Sequence, residues 1–312
     1  MPTPIRFAAL GCALAALAVP ASAKIDRVVE RTFTVQPGVA LDVTTSGGDI
    51  KVESSSDPVV RVIAKEHIRA SSEAEADDLL KKLDLTIEQS GNEVVAKAEY
   101  KNDMGFHWGG TPVQVDFEIR VPASASAELK TSGGDIDVGD IQGTLRAHTS
   151  GGSLHLGDIG GAIDASTSGG NISLGQGREK TKLSTSGGNI SVDRVVGPAD
   201  LRTSGGDIKV DAVDNTLDAE TSGGEVKATF EGLLKGDCSL STSGGEVKVN
   251  VGKNAAFDLN AHTSGGEVDA SGLMITISHG GARKSSLEGS VNGGGPVLKL
   301  RSSGGDIRVS TG

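Results

Sequence analysis

The chain reads as all-β: a parallel β-solenoid of 18–21-residue coils, with one helix inserted near its N-terminal end. Three observations predict this. The tripeptide Ser-Gly-Gly occurs ten times, with serines at 46, 132, 150, 168, 186, 204, 222, 243, 264 and 303. From Ser132 the first five intervals are 18 residues, the next two are 21, and the last is 39; a fixed period of this size marks stacked repeats. Short aliphatic alternations flank each tripeptide, as strands require. The composition is glycine-rich, with 45 Gly and 3% aromatics, yet lacks Gly-X-Y order and is 36% hydrophobic, which excludes collagen and a disordered chain. The usual crossover rule favours right-handed winding, a right-handed β-helix.

Residues 1–23 read as a signal peptide. Arg6 supplies the positive charge, residues 7–19 the apolar run, and Ala21-Ser22-Ala23 the cleavage motif before Lys24. Too few apolar residues precede Cys12 for a lipoprotein leader. No other stretch approaches the ~18 apolar residues of a membrane span. The expected location is therefore outside the cytoplasm, periplasmic or extracellular at the cell surface. Loss of the leader removes one Arg and no acid, shifting the net charge from -11 to -12. An acidic chain without a basic run is a poor partner for nucleic acid.

Residues 24–130 read as N-terminal coils with a helical insertion and cap. Val59–Ala64 has strand character, and Ser72–Leu83 has helical character with a serine N-cap at 71 or 72, early acids and late lysines. Strands are expected at about 83–89, 93–100 and 113–121. Together they suggest wider coils with the helix laid outside or across them, since a bare terminal coil is an edge that recruits other chains.

Residues 131–312 read as the regular repeats. Before each corner, Leu129/Thr131, Ala147/Thr149, Leu183/Thr185 and their equivalents point inward; after it, Ile136/Val138, Ile172/Leu174 and Ile190/Val192 do the same. Cys238 falls on an inward column, as a small buried hydrophobe does. Glycine suits the corner in two ways: it accepts positive φ, and it has no Cβ to meet the next coil. A single coil buries too little to fold alone, so coils must stack into a rod of ten or eleven, spaced ~4.8 Å apart.

The order of leader, first Gly-Gly-Asp-Ile strand, Leu79-Leu80-Lys81-Lys82-Leu83 helix, Val115-Asp116-Phe117-Glu118-Ile119-Arg120-Val121-Pro122 and tandem Ser-Gly-Gly-Asp-Ile coils resembles the bacterial "putative adhesin" family of β-strand-repeat domains. Most of its members have no assigned function. The resemblance covers nearly the whole chain after the leader and implies a fold, with almost nothing about chemistry.

The residue after each Gly pair is acidic or amidic in nearly every coil, as at Asp49, Asp135, Asn189, Asp207 and Glu246. Stacked, these side chains could be a calcium ladder, but the alternate Gly and Asp ligands of calcium-binding repeats are missing. Lys51, Lys209, Lys227, Lys248 and Arg308 lie two residues on, so a solvated face of interleaved charges is the favoured reading. A polysaccharide-active enzyme is the rival from another class. It needs carboxylates gathered in an aromatic-walled groove, whereas the carboxylates here follow the repeat, and His148, His155 and His262 have no metal-site spacing. The one local anomaly is residues 100–110, where Tyr100, Phe106 and Trp108 stand with His107 among glycines. These four are the candidate partner-binding residues; the alternative is that they plug the end of the solenoid. The expectation is a non-enzymatic, exported, adhesin-like scaffold without a cofactor. It would meet an envelope or surface protein or glycan and could self-associate end to end.

Overall fold

Alternating side chains sort the strands into two facing sheets with one continuous aliphatic core between them. The structure, a computed structural model, describes residues 23–100, 112–277 and 283–312. All but the last residue of the predicted leader, and Phe106, His107 and Trp108, lie outside the described residues. One sheet has thirteen strands and the other fourteen, and the fold is solenoid-like. Through the middle each rung contributes one strand to each sheet, such as Leu145–His148 and Leu154–Ile159. Neighbouring rungs are parallel: Leu145 lies opposite Ile163, which lies opposite Thr181. Ile172, Ile190 and Ile208 likewise form one fully buried column. The inward assignments made from the sequence hold, including Cys238 and the corner threonines.

The corner is held by hydrogen bonds that the sequence did not disclose. In a mid-rod rung, Thr203 Oγ1 donates to the Gly188 carbonyl of the preceding rung at 2.8 Å and accepts from its own Gly206 N–H at 3.4 Å. The Gly205 N–H donates to the Ser186 carbonyl at 2.9 Å. The Asp207 N–H donates to Asn189 Oδ1 at 2.8 Å, and the Glu225 N–H to Asp207 Oδ1 at 2.7 Å. Thr131, Thr149, Thr167, Thr185 and Thr221 repeat the hydroxyl bond to the rung before. A sharp corner would otherwise strand backbone groups away from water; here each rung satisfies its neighbour.

The glycines serve that stacking. None in the Ser-Gly-Gly corners has positive φ; among the described residues that conformation belongs to Gly38, Gly91, Gly293, Gly294 and Asn292. Of the two reasons the sequence suggested, only the missing Cβ survives. A Cβ on Gly206 would stand 2.1 Å from the Gly188 oxygen, whereas one on Gly205 would be 3.3 Å from Gly187 O. We therefore expect Gly206→Ala to lower the melting temperature by roughly 10 °C and Gly205→Ala by only a few degrees. Equal effects in a circular-dichroism melt would remove the carbonyl clash as the cause.

The two ends depart from simple winding. β1 (Ala23–Thr34), β2 (Ala40–Thr45), β3 (Ile50–Ser55) and β4 (Val59–Ala70) precede helix α1 (Glu73–Leu80), which is followed by β5 (Leu83–Ser90), β6 (Glu93–Tyr100) and β7 (Val113–Pro122). The first rung in sequence, β2/β3, is not outermost: it lies between β6/β7 and the rung of Ser126–Thr131 and Ile136–Val138. Beyond β7 the sheet continues antiparallel through β4 to β1, and β5 adds antiparallel to β6. β6/β7 thus stacks in parallel on β2/β3, while β4, β1 and β5 beyond it run antiparallel, an arrangement the sequence did not specify. α1 packs against β4 and β5. It is shorter than the sequence suggested: Ser72 accepts from the Glu75 N–H at the start, and Lys81 is the C-cap.

The other end repeats the device. The last strands in sequence, Val297–Ser302 and Ile307–Thr311, do not form the last rung. They insert between Cys238–Thr242/Val247–Val251 on one side and Phe257–Thr263/Val268–Asp269 on the other. The 39-residue interval is therefore not sequential stacking of two coils; the chain passes over one rung, turns back through the hairpin Ile275–Ile277/Ser286–Val291, and fills the gap.

Candidate functional site

Of the four predicted site residues, the described structure contains Tyr100. Its hydroxyl donates to the Val113 carbonyl at 2.7 Å and accepts from the Val113 N–H at 2.8 Å. The half-buried ring packs against the core, and burial raises the phenol pKa. Tyr100 ends β6 and Val113 begins β7, so this pair ties the two ends of the 101–112 connection together. The connection leaves and re-enters at the same edge as the Ser-Gly-Gly corners, because Ala98 lies opposite Thr45 and Phe117 opposite Ile50.

Outward side chains of the described residues line shallow grooves, two of which carry charged groups. One, of about 590 Å³, crosses the second sheet from Glu93 to Lys180, with Asp42, Glu128, Arg146 and Asp164 along it. Its charges are largely paired: Lys97 with Asp42 at 2.8 Å, and Lys130 with Glu128 at 2.5 Å. The other, of about 490 Å³, holds Asp137, His155 and Ser173 on three successive rungs. His155 Nδ1 is 2.9 Å from Asp137 Oδ1, an order that invites comparison with a nucleophilic triad. Ser173 Oγ, however, donates to the Leu154 carbonyl at 3.4 Å, and the imidazole and carboxylate are both about half exposed. Water competes with such a pair, so it does little to activate a hydroxyl.

The acid ladder divides by side-chain length. Asp49, Asp135, Asn171, Asn189, Asp207 and Asp306 each accept the N–H of the equivalent residue one rung along. The longer Glu225 and Glu246 turn sideways to Lys248, at 2.6 and 2.8 Å, and Arg308 joins Glu246 at 2.9 Å. The interleaved charges read from the sequence are therefore real at these rungs. At the Asp and Asn positions the carboxylate or amide is a backbone acceptor, a role that spacing alone did not reveal. Among the described residues no group of three or more His, Cys, Asp or Glu is arranged to hold a metal ion.

The Toastrack DUF4097 family matches residues 49–310, most of the chain. The chain belongs to that family. Solved structures similar to this Toastrack chain include a putative adhesin from Bacteroides fragilis NCTC 9343, 13% identical, with 91% of this chain and 97% of that chain covered and a TM-score of 0.40. Another is a putative adhesin from Parabacteroides merdae ATCC 43184, 13% identical, with coverage of 91% and 96% and a TM-score of 0.44. A third is a putative lipid binding protein from Parabacteroides distasonis ATCC 8503, 14% identical, with coverage of 90% and 96% and a TM-score of 0.38. No curated protein matches the chain. Among the described residues of this Toastrack chain, no helix is long and apolar enough to cross a membrane.

Two further groups of this Toastrack chain bear on its chemistry. The Cys238 thiol is buried and its pKa is raised by that burial, so it packs as a hydrophobe and stays protonated. His67 on β4 bridges two other strands, with Nδ1 2.6 Å from Asp26 on β1 and Nε2 3.0 Å from Asp116 on β7. The hydrogen bond from His67 lowers the pKa of Asp26. This cluster fastens the cap strands together.

Proposed function

We propose that the protein is a non-enzymatic, exported scaffold of adhesin-like type, a right-handed β-solenoid of 18–21-residue coils that holds a partner-binding segment at its N-terminal end. The observation that carries this reading is the use of the repeated polar groups. The corner hydroxyls, amides and short carboxylates are spent on neighbouring rungs, which suits a rigid support and leaves little reactive chemistry.

The contact surface in this reading is Phe106, His107 and Trp108, with Tyr100 as the anchor that fixes where the segment leaves the sheet. Large rings dominate the energetics of many interfaces. The partner is an envelope or surface protein or glycan, in the periplasm or at the cell surface. Glycan arrays and crosslinking pull-downs from envelope extracts are the test. Phe106→Ala/Trp108→Ala should abolish capture with an unchanged melting temperature. Tyr100→Phe, which keeps the ring but removes the bonds to Val113, should weaken capture only partly. An early melt for the Phe106/Trp108 double variant, with dye-accessible apolar surface, would instead make those residues an end plug.

A further inference from the structure

We propose that β1 pairs edge to edge with β1 of a second copy of this chain, antiparallel, about a two-fold axis through Arg27. β1 is the outermost described strand of its sheet and is paired at all twelve positions with β4 on its inner side. Its other edge therefore offers main-chain donors and acceptors with no sheet partner among the described strands. No proline or glycine interrupts Ala23–Thr34. The other outermost strands are shorter: β5 has eight residues, Val268–Asp269 two and Ile275–Ile277 three. A long, regular, open edge is a template for strand addition.

The strand's own charges select the occupant. A two-fold axis perpendicular to the sheet must set one residue opposite itself, because directly opposed side chains share a face. Among axes through residues 26–31, only Arg27 sets a charge against its opposite. Lys24 then faces Glu30 of the second copy and Ile25 faces Val29, each pair occurring twice. The axis at 28 sets Asp26 against Glu30, that at 29 sets Arg27 against Arg31, and that at 30 sets Glu30 against itself. Arg27 tolerates its own twin because each guanidinium already lies 2.9 Å from Glu73 and 2.7 Å from Asp77 of α1. Lys24 and Glu30 are both about half exposed or more, so they can turn to a new partner.

Sedimentation equilibrium of the purified protein, with its N-terminus verified by mass spectrometry, tests the proposal. The unaltered protein should reach twice the single-chain mass reversibly. Lys24→Glu alone and Glu30→Lys alone each create two like-charge pairs, and each should weaken the dimer by at least about tenfold. An equimolar mixture of these two variants should restore it, since positions 24 and 30 then meet as one acid and one lysine in both pairs of the mixed dimer. Melting curves matching the unaltered protein keep folding out of the comparison. A monomer at every concentration, single variants that dimerise normally, or a mixture that fails to recover would each overturn the pairing.

Discussion

Ile190→Asp is expected to unfold the centre of the rod, while its neighbour Asn189→Ala leaves it standing. Ile190 is fully buried between Ile172 and Ile208 in one aliphatic column. A carboxyl placed there has no partner; even protonated it costs several kcal/mol in lost burial and unmade hydrogen bonds. That is a large part of the roughly 5–15 kcal/mol by which a domain is typically stable. Asn189 faces outward, and its removal deprives only the Asp207 N–H of an acceptor, at a cost of about 1 kcal/mol where water can substitute. Circular-dichroism melts should separate the two by more than about 10 °C. The reverse ranking would invert the assignment of inner and outer faces.

Ile307→Asp should be nearly as damaging as Ile190→Asp, although it lies close to the chain terminus. Substitutions near the end of a stacked array usually fray one rung. Here Ile307 is fully buried and lies between Val247 and Val268. Its rung also carries Leu298, Leu300 and Val309, all buried. At about 2 kcal/mol for each buried aliphatic, that rung represents on the order of 8 kcal/mol of burial. The expected result is a melting temperature lowered by more than about 10 °C, with proteolysis opening residues 257–269 as well as the terminus. A near-normal melt with cleavage confined to the last few residues would show that the terminal rung is dispensable.

The contrast between these variants marks what the sequence could disclose. Alternation at Ile190/Val192 and Leu183/Thr185 settled which side chains face inward, because each strand can bury only one face. The order of rungs at the ends was not legible. The rungs present the same hydroxyl, Gly and aliphatic columns, with Ser302 standing in for Thr in one, so Cys238–Thr242 could equally accept Phe257–Thr263 or Val297–Ser302 as its neighbour. Periodicity specifies a rung and leaves its place in the stack degenerate. The antiparallel caps escaped for a related reason: β4 has the same apolar alternation whichever way its neighbour runs. The hydroxyl bonds of the threonine column were hidden because a buried Thr and a buried Val look alike in an inward pattern. The role of Tyr100 was hidden too, since an aromatic count cannot distinguish a brace from a contact.

The first and last rungs in sequence are bracketed by other parts of the chain, while the rungs of Thr185, Thr203 and Thr221 each meet the rung before through the same atoms. Length can therefore change in the middle and hardly anywhere else. A duplicated 18-residue cassette placed between Thr185 and Asn189 would find a Gly carbonyl, a Ser carbonyl and an Asx acceptor waiting on one side and would offer the same set on the other. Neither cap would need redesign. Each such duplication would move the two extremities apart by ~4.8 Å. Recombination between nearly identical stretches of gene could thus graduate the molecule like a ruler, setting how far its N-terminal end stands from its C-terminal end one division at a time.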